Sequence, residues 1–334
     1  MPLSNTVPQC LAAAVTTAGV LGGAYYAYSL QRNKLPEEWR EVGYLKELYA
    51  YPVKSIGGVK MNQAECSELG VKNGWLRDRN LMIVDAEDNN CITARAYPEM
   101  LLIQPSYKGA LLTLKNPDME AIEVNLAEVM VTQKPIKATV WKASVAVYDC
   151  GEEVSEWITK YLNRGSTFRL VYYASQKPRP FVHTPRMLYK KCRNEDASAF
   201  SDEVSYNLIS EASVDDLNTR LKSTKVGPLS FRPNFNVSGV ALPYDEDKWK
   251  YVKIGENVFE VLKPCTRCIL PNIDPETGTR NEGNEPLATL KSYRLFEDPN
   301  MSEAAGTSPR MGIQMALRSG PGGTVSVNDR VYVA

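Results

Sequence analysis

Between residues 44 and 148 the chain repeats one pattern: short runs of aliphatic, aromatic and β-branched residues, each closed by a turn signal. Tyr44 to Tyr51, Asn80 to Val84, Cys91 to Ala96, Leu101 to Ile103, Leu111 to Leu114, Ala121 to Val124, Val129 to Thr132, Ile136 to Trp141 and Ser144 to Tyr148 all read as strands. Glu87-Asp88-Asn89-Asn90, Lys108-Gly109 and Asn116-Pro117-Asp118 break the runs. Short strands separated by turns in this way are a β-barrel or sandwich pattern. A helix follows at Glu152 to Leu162, where Val154, Trp157, Ile158, Tyr161 and Leu162 share one face. Asn163-Arg164-Gly165 ends it, and a strand is expected over Phe168 to Tyr173.

Further along, Gln176-Lys177-Pro178-Arg179-Pro180 reads as a crossing between two domains, because its prolines suit neither a helix interior nor a central strand. A short helix is expected at Val214 to Leu221, with Ser213 as its N-cap. Val252 and Ile254, then Gly255-Glu256-Asn257, then Phe259 and Val261 form a tight hairpin pattern. Another helix is expected to begin near Pro286, and a last hairpin to span Thr324 to Val333.

The ends and the charge narrow the function. No charged side chain occurs between Met1 and Gln31, and Leu11 to Tyr28 is close to the ~20 apolar residues of one membrane span. Tyr25, Tyr26 and Tyr28 precede Arg32 and Lys34, an arrangement expected of an interface anchor with the rest of the chain on the cytosolic side. With 39 basic and 39 acidic side chains the chain lacks the basic excess of a nucleic-acid binder. Lys177, Arg179, Arg186, Lys190, Lys191 and Arg193 form a local basic stretch suited to an acidic partner. Seven widely spread cysteines, an odd number, point to free thiols in a reducing compartment.

Cys265-Thr266-Arg267-Cys268 is the densest chemical motif. It could be half of a zinc site, but there is no second pair of this spacing and His183 is the only histidine. It could be a redox dithiol, but Ile269-Leu270-Pro271 is a poor helix start. A loop with one metal-ligating thiolate, or a pair of thiols that simply pack, are the readings left open. A catalytic triad would have to use His183, which has no supporting signature. Neither a dinucleotide-binding G-x-G-x-x-G after a strand nor a P-loop occurs. Three clusters could hold an anionic cofactor. Lys54-Ser55-Ile56-Gly57-Gly58 could wrap a phosphate; Arg77 and Arg79 lie on one side of an extended chain; Arg232-Pro233-Asn234 offers a guanidinium and an amide.

Tyr-Pro-Val-Lys-Ser at 51–55, Leu-Arg-Asp-Arg at 76–79, Thr-Ala-Arg at 93–95, Asp-Cys-Gly at 149–151, Phe-Arg-Pro-Asn at 231–234 and Cys-Thr-Arg-Cys at 265–268 occur together and in order. In this the chain resembles the MOSC-domain proteins and, among them, the membrane-anchored mitochondrial amidoxime-reducing group. The resemblance implies a β-rich α+β fold: a membrane anchor over 1–34, an N-terminal MOSC-type β-barrel domain over 41–175, and a MOSC β-barrel domain with peripheral helices over 176–334. It implies molybdenum bound to a pyranopterin dithiolene cofactor (Mo-molybdopterin), with Cys268 as the protein's sulfur ligand. Lys54, Ser55, Arg79, Arg232, Asn234, Thr266 and Arg267 are implied as cofactor contacts. Asp202 is implied as the acidic residue for substrate positioning or proton supply, while Cys265 has no assigned chemistry. A pyridoxal phosphate association also attaches to such domains as a whole. The implied reaction is reduction of amidoximes or hydroxylamines to amidines or amines plus water. Its electrons come from NADH through NADH-cytochrome b5 reductase and cytochrome b5, at the cytosolic face of the mitochondrial outer membrane. Two other functions stay open: a sulfur or cofactor carrier using a Cys268 persulfide, and an inactive membrane-anchored scaffold.

Overall fold

The repeated short strands fold mainly into one closed ring. A computed structural model describes residues 34–180, 188, 191–222, 224–320 and 322–334. The anchor expected over 1–34 lies, up to residue 33, outside them, and among the described residues no helix is long and apolar enough to cross a membrane. The ring takes seven strands in the order Arg40–Ala50, Phe235–Ser238, Tyr206–Ser210, Arg310–Leu317, Asn257–Thr266, Tyr251–Ile254 and Arg330–Val333, which returns to Arg40–Ala50. All neighbours are antiparallel except Tyr206–Ser210 with Phe235–Ser238. Closure leaves no exposed edge. One strand thus comes from the N-terminal half and six from the C-terminal half.

Alternation decides what fills the ring. Tyr206, Leu208, Phe235, Phe259, Ile313 and Met315 belong to one buried core with Leu45 and Leu48. Tyr206 stacks on Phe235 at 5.7 Å and meets Phe259 edge-on at 4.9 Å. The intervening residues Asn207 and Gln314, paired partners on neighbouring strands, point to the other side of the wall.

The expected N-terminal barrel takes the form of two sheets around a second core. One joins Ile136–Val140, Ala143–Asp149, Phe168–Tyr173 and Leu81–Asp85; the other joins Gln104–Lys108, Leu111–Asn116 and Met119–Asn125. Ile83, Leu112, Leu114, Val124, Phe168 and Leu170 meet in that core, with Val154, Trp157 and Ile158 of the helix Glu152–Leu162. That helix ends as expected, on Asn163 in the left-handed conformation at φ 44°.

Several expected elements differ. Val129 to Thr132 belongs to a helix, Leu126–Thr132, because the Asn125 side chain caps the Glu128 N–H and Leu126 and Val129 bury one face three residues apart. Cys91 to Ala96 makes a single bridge to Val84 before turning, and Leu101 lies in a 3₁₀ turn, Pro98–Leu102. The helix after residue 210 is Glu211–Arg220, capped by Ser210 and not Ser213. Thr324–Ser326 and Arg330–Val333 do not pair as a hairpin; the first joins Gln63–Ser67 and the second closes the ring. The hairpin at 251–266 forms on a two-residue turn, Gly255 and Glu256, and its second strand runs on through Pro264 to Thr266 with two register shifts.

A candidate cofactor cavity on the outer wall of the barrel

The second strand of that hairpin delivers Cys265 and Thr266 to the wall of a cavity of about 520 Å³, with Arg267 and Cys268 following. Asn207 and Gln314 line it from the outer face of the barrel, and Lys54, Ser55, Arg79, Trp141 and Asp202 complete it. The nine site residues that the resemblance implies all border this one space: Lys54, Ser55, Arg79, Asp202, Arg232, Asn234, Thr266, Arg267 and Cys268. They come from positions up to 214 residues apart (268 − 54).

The thiols are unequal. Cys265 is 5% exposed, and burial pushes its thiol up despite Arg267 and Lys263; Cys268 is more open. All six described cysteines are free.

Two expected contacts are largely committed to the protein itself. Arg267 donates from Nε to Met311 O at 2.8 Å, from Nη1 to Phe231 O at 2.9 Å and from Nη2 to Asn207 Oδ1 at 3.3 Å. It thereby staples the cysteine loop to three neighbouring segments. Beside it, Gly312 lets the neighbouring strands approach: at φ 73° a Cβ there would meet Leu208 O at 2.5 Å. Asn234 is fully buried, donating to Tyr49 O at 3.2 Å and accepting from Asn207 N at 3.1 Å.

Arg232 and Arg79 are different. The Arg232 guanidinium lies 4.1 Å from the Tyr51 ring centroid and that of Arg79 at 4.8 Å. Arg79 pairs with buried Asp78 and donates to Arg232 O at 3.1 Å. Arg232 uses Nη1 on Ile56 O at 2.6 Å, but its buried Nη2 has no hydrogen-bond partner. Burial, with Arg79 adding to it, pushes the Arg232 guanidinium down to about 10. A buried cation with an unused donor beside a second cation is a site for an anion. Ser201 Oγ and Gln314 Oε1, also buried and without partners, border the same cavity, so a guanidinium donor, a hydroxyl and an amide acceptor all await polar groups.

Backbone strain collects here too. Ser55, Arg79, Trp141 and Arg232 hold left-handed φ values of 69°, 47°, 48° and 50°, and none is glycine. The phosphate-wrapping role expected of Gly57 and Gly58 is not seen: Gly57 N donates to Ile103 O at 2.9 Å and neither glycine borders the cavity. Arg77 turns away to Gln176 at 3.0 Å. Gln314 was missed, although a lone amide in the apolar run Met311 to Ala316 is a readable signal.

Asp202 is half exposed toward the cavity and accepts from Lys54 Nζ and from Trp141 Nε1, the latter at 3.2 Å. Its depth in the wall pushes its carboxyl up, but Lys54, with Arg95 and Arg79, overrides this and holds it at about 2. Asp202 is therefore a carboxylate across the neutral range, which suits holding a substrate N–H better than supplying a proton. An unfolded aspartate titrates near ~4, so the stability from this pairing is complete above that pH and disappears as the pH falls through about 2. Asp202→Asn should be less stable than the parent at pH 6, with the gap closing between about pH 4 and pH 2 in denaturant titrations. A gap independent of pH would refute the assignment.

Arg179, expected on the basic docking stretch, is 3% exposed and donates to Ser201 O at 3.0 Å, so it fixes the Asp202 loop. Lys177 and Lys191 are exposed and Arg193 is half-buried; His183, Arg186 and Lys190 lie outside the described residues.

Comparison with known proteins shows the family. The family model of the MOSC N-terminal beta barrel domain matches residues 42–165, and that of the MOSC domain matches 195–332. The chain is 35% identical over 325 residues to the human protein named mitochondrial amidoxime-reducing component 1, covering 97% of this chain and 92% of that one. It is 34% identical to the Danio rerio protein of that name, covering 96% and 93%. It is 33% identical to the Bos taurus protein named mitochondrial amidoxime reducing component 2, covering 88% and 84%.

Proposed function

Because this chain belongs to the mitochondrial amidoxime-reducing component family of MOSC-domain proteins, we propose that it is a molybdenum-cofactor-dependent reductase of N-hydroxylated compounds, converting amidoximes and hydroxylamines to amidines and amines. The observation that carries the reading is Cys268 at the wall of a cavity whose buried Arg232 has a free donor. When bound, the pyranopterin dithiolene and its molybdenum supply the two-electron couple and an open coordination position.

The residues divide the remaining work. Cys268 Sγ is the thiolate ligand, on a loop held rigid by Arg267. Arg232 Nη2 and the neighbouring Arg79 would hold the cofactor's phosphate, while Gln314 Oε1 and Ser201 Oγ would hold polar groups of its ring system. Lys54 and Ser55 hold the side nearest Asp202. The Asp202 carboxylate orients substrate N–H groups, and Lys54 Nζ is the proton-bearing group at its side. As the family resemblance implies, the chain would receive electrons from cytochrome b5, itself served by NADH-cytochrome b5 reductase; Lys177 and Lys191 are exposed cations that would dock it, with half-buried Arg193 beside them. Its place is the mitochondrial outer membrane, anchored through the N-terminal segment with the catalytic part in the cytosol.

The purified full chain, given a chemical reductant, should convert benzamidoxime to benzamidine. A persulfide on Cys268 without turnover would instead indicate a sulfur carrier, and neither activity nor persulfide a scaffold.

A further inference from the structure

Trp141, which lines the cavity and donates to Asp202, has an unusual setting. It occupies the tip of the hairpin Ile136–Val140 and Ala143–Asp149, where Val140 pairs with Ala143 and only Trp141 and Lys142 make the turn. Both are left-handed, at φ 48° and 70°, in a turn that favours Asn-Gly. A strained turn presents an indole that is 40% exposed on the open side of the cavity. Its Nε1 donates to Asp202 at 3.2 Å, which fixes the ring beside the carboxylate. The Arg95 guanidinium sits 4.5 Å from the ring centroid, and Lys54 Nζ at 5.1 Å.

Arg95 shows what this corner holds. A guanidinium is a flat, delocalised cation with N–H groups on its edge; an indole face and a nearby carboxylate are the two groups that recognise such a cation. An amidinium has the same planar N–C–N unit. We propose that Trp141 and Asp202 form a subsite for planar amidinium and guanidinium cations, with the Arg95 guanidinium occupying its indole face until a ligand displaces it and Lys54 paired with its carboxylate. The identity of the natural ligand rests on the reductase reading: an amidine product is cationic at neutral pH, whereas the amidoxime is a weaker, largely neutral base. The subsite therefore favours product over substrate and makes the amidine a competitive inhibitor.

The test is a double-mutant cycle read by calorimetric titration of benzamidine into the full chain with its cofactor, without turnover. Trp141→Ala should weaken binding about tenfold, and Trp141→Phe, which keeps an aromatic face on the same turn, should restore most of it. Arg95→Ala should tighten binding about fivefold by removing the occupant, and this gain should vanish in the Trp141→Ala background. Neutral benzamide should bind the parent at least about tenfold more weakly than benzamidine. A gain from Arg95→Ala that persists without Trp141 would mean charge repulsion alone, and overturns the proposal. Equal affinity for benzamide and benzamidine, or no loss in Trp141→Ala, does so as well. A protein that shows the cycle but never reduces benzamidoxime keeps the subsite and loses the reductase reading. One that reduces benzamidoxime with a flat cycle does the reverse.

Discussion

Replacing Cys268 with alanine is expected to lower benzamidoxime reduction by about a thousandfold or more, the scale of losing a group at the reaction centre. Cys265→Ala is expected to lower it by no more than about tenfold, the lower end of what a neighbour of a metal ligand contributes. The two thiols stand three residues apart, yet the fold separates their roles. Cys265 lies within the strand Asn257–Thr266, 5% exposed, where burial disfavours its thiolate. Cys268 follows the strand end, more open, on a loop stapled through Arg267 to Met311 and Phe231. Equal losses in steady-state rate for the two variants would defeat the assignment.

The second large effect concerns Arg232, and its sign depends on whether cofactor is bound. Hydrogen bonds to charged groups contribute about 1.5–3 kcal/mol, so Arg232→Gln should weaken cofactor retention by about 10- to 100-fold. Without cofactor the outcome differs. Arg232 is then a buried cation next to Arg79, pushed down to about 10 by burial, with Nη2 unused. Removing it relieves a desolvated charge at the expense of one hydrogen bond to Ile56 O, so cofactor-free stability should change by less than about 1 kcal/mol. Protein made in a host unable to synthesise the cofactor supplies the comparison by denaturant titration. Equal destabilisation of both forms would make Arg232 a structural residue instead of an anion site.

The parts legible in the sequence were those governed by period and order. Strand alternation and the apolar face of Glu152–Leu162 follow from side-chain geometry, and their bounds agree closely with the fold. Five of the six ordered motifs come from segments that meet at one cavity, whereas Asp149-Cys150-Gly151 does not border it and Cys150 packs in the second core. Elements decided by tertiary context were not legible. Val129 to Thr132 is as β-branched as a strand, and only the Asn125 cap and the shared burial of Leu126 and Val129 make it a helix. Arg179 and Arg267 look like surface or ligand cations in a linear reading, but each turns inward to backbone carbonyls. The left-handed residues Ser55, Arg79, Trp141 and Arg232 carry no compositional signal, since sequence favours glycine or asparagine at such positions. The strain at these residues is visible only in three dimensions.

The central claim is that this cavity holds a molybdenum cofactor through Cys268. Elemental analysis of the purified full chain, paired with benzamidoxime reduction on the same preparations, tests it most directly. The account predicts a molybdenum content approaching about one per chain, with the rate rising in proportion to it across preparations. Full reductase activity in preparations free of molybdenum would contradict it.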